Sequence, residues 1–190
     1  KPVISLYHHV KSTAAIAVCL YDSAVEEKEI DEILDYFKNN NIFPEKEKRF
    51  LVVEGDISGI QNFIYSLTSE GALKGLKGRS VYVQLLSEAI ANNILKKMRL
   101  PRSNLIFVGG GNFQIIIPNI AQAKEKIEDI IKKTDEILYS AHNGKICCVI
   151  GQRQFSYNHF SSENFAGLIS ALKTSLAREK RRKFKYKVGS

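Results

Sequence analysis

Two short stretches hold residues able to do chemistry together. The first, Gly55-Asp56-Ile57-Ser58-Gly59-Ile60-Gln61, follows the apolar run Phe50–Val53. The second, Gly109-Gly110-Gly111-Asn112, separates the apolar runs Asn104–Val108 and Phe113–Pro118. Asp56 supplies a carboxylate, Ser58 a hydroxyl and Gln61 an amide. Gly59, Gly110 and Gly111 let the backbone come close to a ligand. Acids at two such turns can hold a pair of divalent cations that activate a hydroxyl and a triphosphate. Here the second turn offers only the neutral amide of Asn112. One carboxylate is a weak cage for Mg²⁺, which favours charged oxygen ligands and holds its water tightly. Plainer roles stand beside the chemical ones. Asp56 suits a helix cap or an Asx turn. The glycines suit a simple hairpin turn, and Ser58 and Gln61 suit local hydrogen bonding.

A second group of residues is basic. Between Arg178 and Lys187 lie seven Lys or Arg and one acid, so this window carries most of the net charge of +8. Arg178, Lys180, Arg181, Arg182 and Lys183 form a candidate phosphate-binding patch. A solvated helix end is the plainer reading. Any nucleic-acid binding there is expected to be weak, indifferent to sequence and steeply salt-dependent. Lys74, Lys77 and Arg79 sit among glycines before a helical stretch, placed either to meet phosphate or simply to face water.

Composition limits the class. Hydrophobic residues make up 44% and charged residues 25% of 190, which is a globular profile and not a disordered one. The longest apolar run, Ala14–Tyr21, is too short to cross a bilayer. Cys19, Cys147 and Cys148 are odd in number, and two are adjacent. That is a poor disulfide or zinc framework, and it suits a reducing, cytoplasmic setting. The chain opens on Lys1-Pro2 and closes on Gly189-Ser190, which reads as part of a longer protein.

The elements that must position these groups follow from periodicity. Ser5–Tyr21 reads as a buried helix, capped by Ser5 and apolar nearly all round at Ala14–Val18. Glu26–Asn40 reads as a second helix through Ile30, Ile33, Leu34 and Phe37, followed by a charged linker. Phe50–Glu54 is a strand and Ile60–Leu67 a short helix. Ser69–Gly78 is a glycine-rich loop, and Arg79–Met98 a long helix. Asn104–Val108 and Phe113–Pro118 form a hairpin, Ala121–Ala141 an amphipathic helix, Lys145–Gln152 a strand and Asn164–Lys183 the last helix. From Phe50 the order is βαββαβ. The expected class is α+β, a ferredoxin-like split βαβ unit with one antiparallel sheet and two main helices on one face. The N-terminal helices and the C-terminal basic helix are expected to lie outside it.

With those residues in place, the two turns resemble the active-site region of a nucleotidyl-cyclase or polymerase palm. Three ordered blocks sharpen the likeness: Gly55–Tyr65, Leu73–Glu88 and Val108–Phe113. Together they resemble the large subunit of type III-A CRISPR effector (Csm) complexes. The resemblance implies a remnant of an HD-type domain over 1–22 and a connecting helix and linker over 23–48. It implies the first, degenerate palm over 49–160, and a basic helix over 161–190 that leads to the next domain. His9 matches a metal-binding histidine of the HD-type domain. Asp56, Ser58, Gly59, Gln61, Gly110, Gly111 and Asn112 would face nucleotide, with no catalytic residue in this palm.

For the whole subunit the resemblance implies ATP and Mg²⁺ or Mn²⁺ as cofactors. It also implies cyclic oligoadenylate synthesis and single-stranded DNA cleavage. The partners implied are the other Csm subunits, crRNA, target RNA and single-stranded DNA, with no membrane. Two other readings stand beside it. One is an RNA-binding ferredoxin-like module, disfavoured by central strands that are aliphatic apart from Phe107. The other is a free-standing nucleotidyl cyclase, disfavoured because Asp56 would have to hold the metals unaided.

Overall fold

The computed structural model describes residues 5–23, 48–66, 72–160 and 162–181, together with positions 28, 31, 35 and 38. Helix α1 spans Leu6–Ser23, strand β1 Phe50–Ser58, helix α2 Ile60–Tyr65 and helix α3 Ala72–Met98. Strands β2 (Leu105–Gly109) and β3 (Asn112–Pro118) follow. Helix α4 (Ala121–His142), strand β4 (Cys147–Phe155) and helix α5 (Ser162–Lys180) complete the order. Of the helix expected over 26–40, Lys28, Asp31, Asp35 and Lys38 are helical and exposed; its apolar positions lie outside the described residues. Among the described residues no helix is long and apolar enough to cross a membrane.

The four strands form one sheet in the order β2-β3-β1-β4, every neighbouring pair antiparallel. This is the expected split βαβ arrangement. Alternation along β1 divides its side chains between two faces. Leu51, Val53 and Ile57 join Phe113, Ile115, Ile117 and Ile150 in the main core, under α3 and α4. Phe50 and Val52 point to the other face, where they pack with Cys19, Ile116, Phe155, Leu168 and Leu172.

That second face corrects one expectation. Helices α1 and α5 do not lie outside the unit; they cover the face of the sheet that α3 and α4 leave bare. A bare apolar face of Phe50, Val52, Ile116 and Phe155 would be costly in water, at about 1.5–3 kcal/mol per large side chain. Asn104 pins α1 in place. Its buried amide donates to the Ile116 carbonyl at 2.8 Å and to the Ala15 carbonyl at 3.4 Å. The Ser5 hydroxyl accepts from the His8 N–H at 3.3 Å, as a cap should. Helix α1 is nevertheless only half covered. Ala15 and Cys19 are buried, while Leu6, Tyr7, Val10 and Tyr21 remain exposed.

Two local expectations fail for physical reasons. The stretch before Arg79 is not a loop from Ala72 onward; Lys74, Gly75, Lys77 and Gly78 are helical. Tertiary contacts hold this turn against the low helix propensity of glycine. The Arg79 guanidinium donates to the Phe63 carbonyl and to Ser66 Oγ, and it lies over the Phe63 ring at 5.1 Å. The second failure is at Gly55-Asp56-Ile57-Ser58, which is not a turn but the continuation of β1.

Candidate functional site

Strand β1 runs on to Ser58 because it is paired on both sides as far as Asp56 and with β4 as far as Ser58. Asp56 faces Asn112 of β3 and Val149 of β4. Gly55 allows this continuation. A Cβ built there would lie 2.1 Å from ring atoms of Phe113, so only glycine lets that ring fill the space beneath the strand. The chain then turns at Gly59, whose φ of 89° is left-handed. A Cβ on Gly59 would meet the Lys145 carbonyl oxygen at 2.0 Å. Asp56 therefore caps nothing: it is a mid-strand residue pointing to the α1/α5 face.

The hairpin tip closes with Gly110 and Gly111, between the paired Gly109 and Asn112. Their φ values of 60° and 88° are what a two-residue I′ turn requires. The Ile57 N–H donates to the Gly111 carbonyl at 2.8 Å, so the two sequence stretches meet. They meet at the shared end of the two central strands. The two glycines then differ. A Cβ on Gly110 would point into open space, whereas one on Gly111 would strike Ile60 Cδ1 at 2.3 Å.

Asp56 and Asn112 open onto a cleft of about 470 Å³ between the sheet and α5. Alternation places Glu54 beside Asp56, and Gln114 beside Asn112, on this same face. Helix α5 contributes Lys173 and Lys180. Lys180 Nζ donates to Asp56 Oδ2 at 2.8 Å, with the two side chains 40% and 25% exposed. Burial pushes the Glu54 carboxyl above its ordinary range, opposed by a hydrogen bond from Gln114 and by the positive charge of Lys173. The exposed ring of Phe107 forms part of the wall. Glu54, Gln114 and Lys173 were not among the residues singled out from the sequence, and Phe107 was noted there only as the aromatic exception on an aliphatic strand. Period-two alternation from Asp56 and Asn112 reaches Glu54 and Gln114 once β1 is carried beyond Glu54.

The other expected site residues are more scattered. Ser58 is half-buried at the end of β1, opposite Cys147. Gln61 is exposed on α2. Lys74 and Lys77 are exposed on α3, which packs on the opposite face of the sheet. Arg178 and Arg181 are exposed near the end of α5, while Arg182 and Lys183 lie outside the described residues. His9 is exposed on α1. Among the described residues no three His, Cys, Asp or Glu side chains gather as a metal site. The donor set beside Asp56 therefore does not fit a two-metal centre: the acid is engaged by an ammonium, and its cross-strand neighbour is a neutral amide.

The βαββαβ sheet, the acid on its first strand and the glycine hairpin beside it define a cyclase-type palm. Comparison with known proteins is specific. The chain belongs to the Csm1 family, matching Csm1 subunit domain B over residues 49–189. It is 33% identical over 207 residues to the CRISPR system single-strand-specific deoxyribonuclease Cas10/Csm1 (subtype III-A) of Methanocaldococcus jannaschii. That match covers 98% of this chain and 26% of the relative. The same-named protein of Thermococcus onnurineus is 34% identical over 186 residues, covering 96% and 23%. Among solved structures, a Csm1-Csm4 cassette in complex with pppApA superposes with a TM-score of 0.84 at 33% identity. It covers 96% of this chain and 25% of that one. A Csm1-Csm4 cassette in complex with one ATP gives 0.82 at 34%, covering 96% and 24%. The chain thus spans about a quarter of the length of the curated relatives it matches.

Proposed function

We propose that this chain serves as the non-catalytic palm of a type III-A CRISPR large subunit, lending one wall to an ATP-binding cleft used for cyclic oligoadenylate synthesis. The observation that carries the reading is the junction of Asp56 and Asn112 beside the Gly110-Gly111 tip. This is a palm's nucleotide-facing end, with one acid where chemistry would need more. Solved relatives in complex with one ATP, AMPPNP, pppApA and cA4 support it. The exposed Phe107 ring adds an aromatic face on which a base can stack. In this reading the whole subunit works in the cytoplasm with Csm4 and other Csm subunits, crRNA and target RNA, and it cleaves single-stranded DNA elsewhere. Helix α1 and His9 then belong to the end of the HD-type domain. Divalent metal is held by another palm of the subunit.

Gly110→Val tests the assignment better than a change at Gly111: a Cβ on Gly110 meets no neighbour, so the change acts at the tip through its bulk and its positive φ of 60°, whereas one on Gly111 also strikes Ile60. In the whole subunit within its complex, Gly110→Val is expected to lower oligoadenylate synthesis while target-RNA binding stays at the parental level. The 190-residue chain alone, given ATP with Mg²⁺ or Mn²⁺, is expected to make no product. A folded Gly110→Val complex that synthesises at the parental rate would remove the tip from the nucleotide surface.

A further inference from the structure

The charges in the cleft are paired. Two acids, Glu54 and Asp56, face two ammonium groups, Lys173 and Lys180. The formal charge of this set is zero. Lys173, Leu176, Ala177 and Lys180 follow one another at helical spacing, so a single stripe of α5 lies over the strand ends. Leu176 is buried against Gly151 of β4, where a Cβ would come within 3.0 Å of Leu176 Cγ. This contact sets the height of α5 on the sheet. Lys180, one turn beyond Leu176, is thereby brought to Asp56 by packing and not by a free side chain finding an acid.

In a palm, the place beside the acid of the first strand belongs to a divalent cation. Here an ammonium stands at contact distance from that acid. Asn112, directly across the ladder, adds no negative charge. A Mg²⁺ ion arriving at Asp56 would have to displace Lys180, and it would then lie beside two positive side chains, with Glu54, the carboxyl that Lys173 faces, and the neutral amide of Asn112 as its next ligands. We infer that Lys180 is a built-in cation: it takes the place of the divalent ion at Asp56, and the cleft actively excludes metal from this palm. The inference rests on the palm reading for the place of the cation, and it does not depend on ATP binding.

Mn²⁺ is the probe, and its electron paramagnetic resonance signal reports free against bound ion without any nucleotide. The parent chain is expected to show no Mn²⁺ site that Asp56→Asn removes. In an Asn112→Asp background, which puts a carboxylate directly across the ladder from Asp56, Lys180→Met is compared with Lys180→Arg. Circular dichroism confirms that each variant is folded. Lys180→Met is expected to bind Mn²⁺ about thirtyfold more tightly than Lys180→Arg. That is the effect of one unit charge on a divalent ion at about 4 Å even in bulk water. Adding Asp56→Asn is expected to abolish the gain. The inference is overturned if the parent chain already binds Mn²⁺ through Asp56, or if folded Lys180→Met binds no better than Lys180→Arg. ATP retention in EDTA, measured on the same proteins, reports separately on the proposed nucleotide role.

Discussion

Gly55→Ala is the most direct test of how the site is supported. The added Cβ would lie 2.1, 2.1 and 2.8 Å from three ring carbons of Phe113. Phe113 is fully buried, so the ring cannot swing into solvent to make room. Overpacking of this kind costs about 1–3 kcal/mol, and collision with a rigid buried ring puts the cost near the top of that range. Replacing a strand glycine returns roughly 0.5–1 kcal/mol. The net expected loss is about 2 kcal/mol, read as a lower urea midpoint with an unchanged slope. Phe113→Leu frees the space, so the double variant is expected to recover about 1–2 kcal/mol relative to the sum of the two single changes. Purely additive single and double variants would refute the packing argument. So would a Gly55→Ala protein within about 0.5 kcal/mol of the parent, which is the range of an ordinary surface change.

Two other expectations follow from the same structure. Glu54 has its carboxyl pushed up by burial, so the folded state holds a proton more readily than the unfolded chain. The resulting cost is present at neutral pH and fades as pH falls through the raised range towards the ordinary value of 4.5. Glu54→Gln should therefore raise the urea midpoint at pH 7 and lose that advantage at pH values below the ordinary one. An equal advantage at both pH extremes would contradict the sign. The three cysteines are buried and in no disulfide, and burial pushes the Cys19 thiol to about 12 and the Cys148 thiol higher still. A disulfide reagent at mildly alkaline pH should label none of them in the folded chain and all three in urea; rapid labelling of the folded chain would contradict their burial.

The order of elements was legible because helix and strand periods alternate cleanly from Phe50 to Gln152, with glycines marking the hairpin. The meeting of Asp56 with the Gly110-Gly111 tip followed from that order alone. What misled was local chemistry. Gly55, Asp56 and Ser58 are turn-forming residue types, and strand pairing, on both sides at Gly55 and Asp56 and with β4 at Ser58, overrode them. Gly71, Gly75 and Gly78 suggested a loop, but Gly75 and Gly78 lie in a helix that the guanidinium of Arg79 ties to Phe63 and Ser66. The Lys180–Asp56 pair left no sequence signal, because no period links residues so far apart. The roles of α1 and α5 as covers for the second face were hidden for the same reason.

The cleft also has a place in time. Its ion pair joins residues 124 apart, Asp56 and Lys180, and the contacts that seat α1 on the same face of the sheet are nearly as distant, Cys19 and Ile116 by 97 and Ala15 and Asn104 by 89. The β2–β3 hairpin, by contrast, closes across two residues. Local closures form early, and distant ones wait for the loops between them to be drawn in. During synthesis from the N-terminus, β1 to β4 emerge with α1 available to cover part of one face, while α5 is still to come. Until α5 docks, Phe155 and Gly151 lack their leucine partners, and Glu54 and Asp56 face water without their lysines. The charge-neutral cleft therefore exists only once α5 has been made and docked. Any nascent or destabilised form that has shed α5 presents an acidic strand end instead, with two carboxylates and no ammonium to balance them.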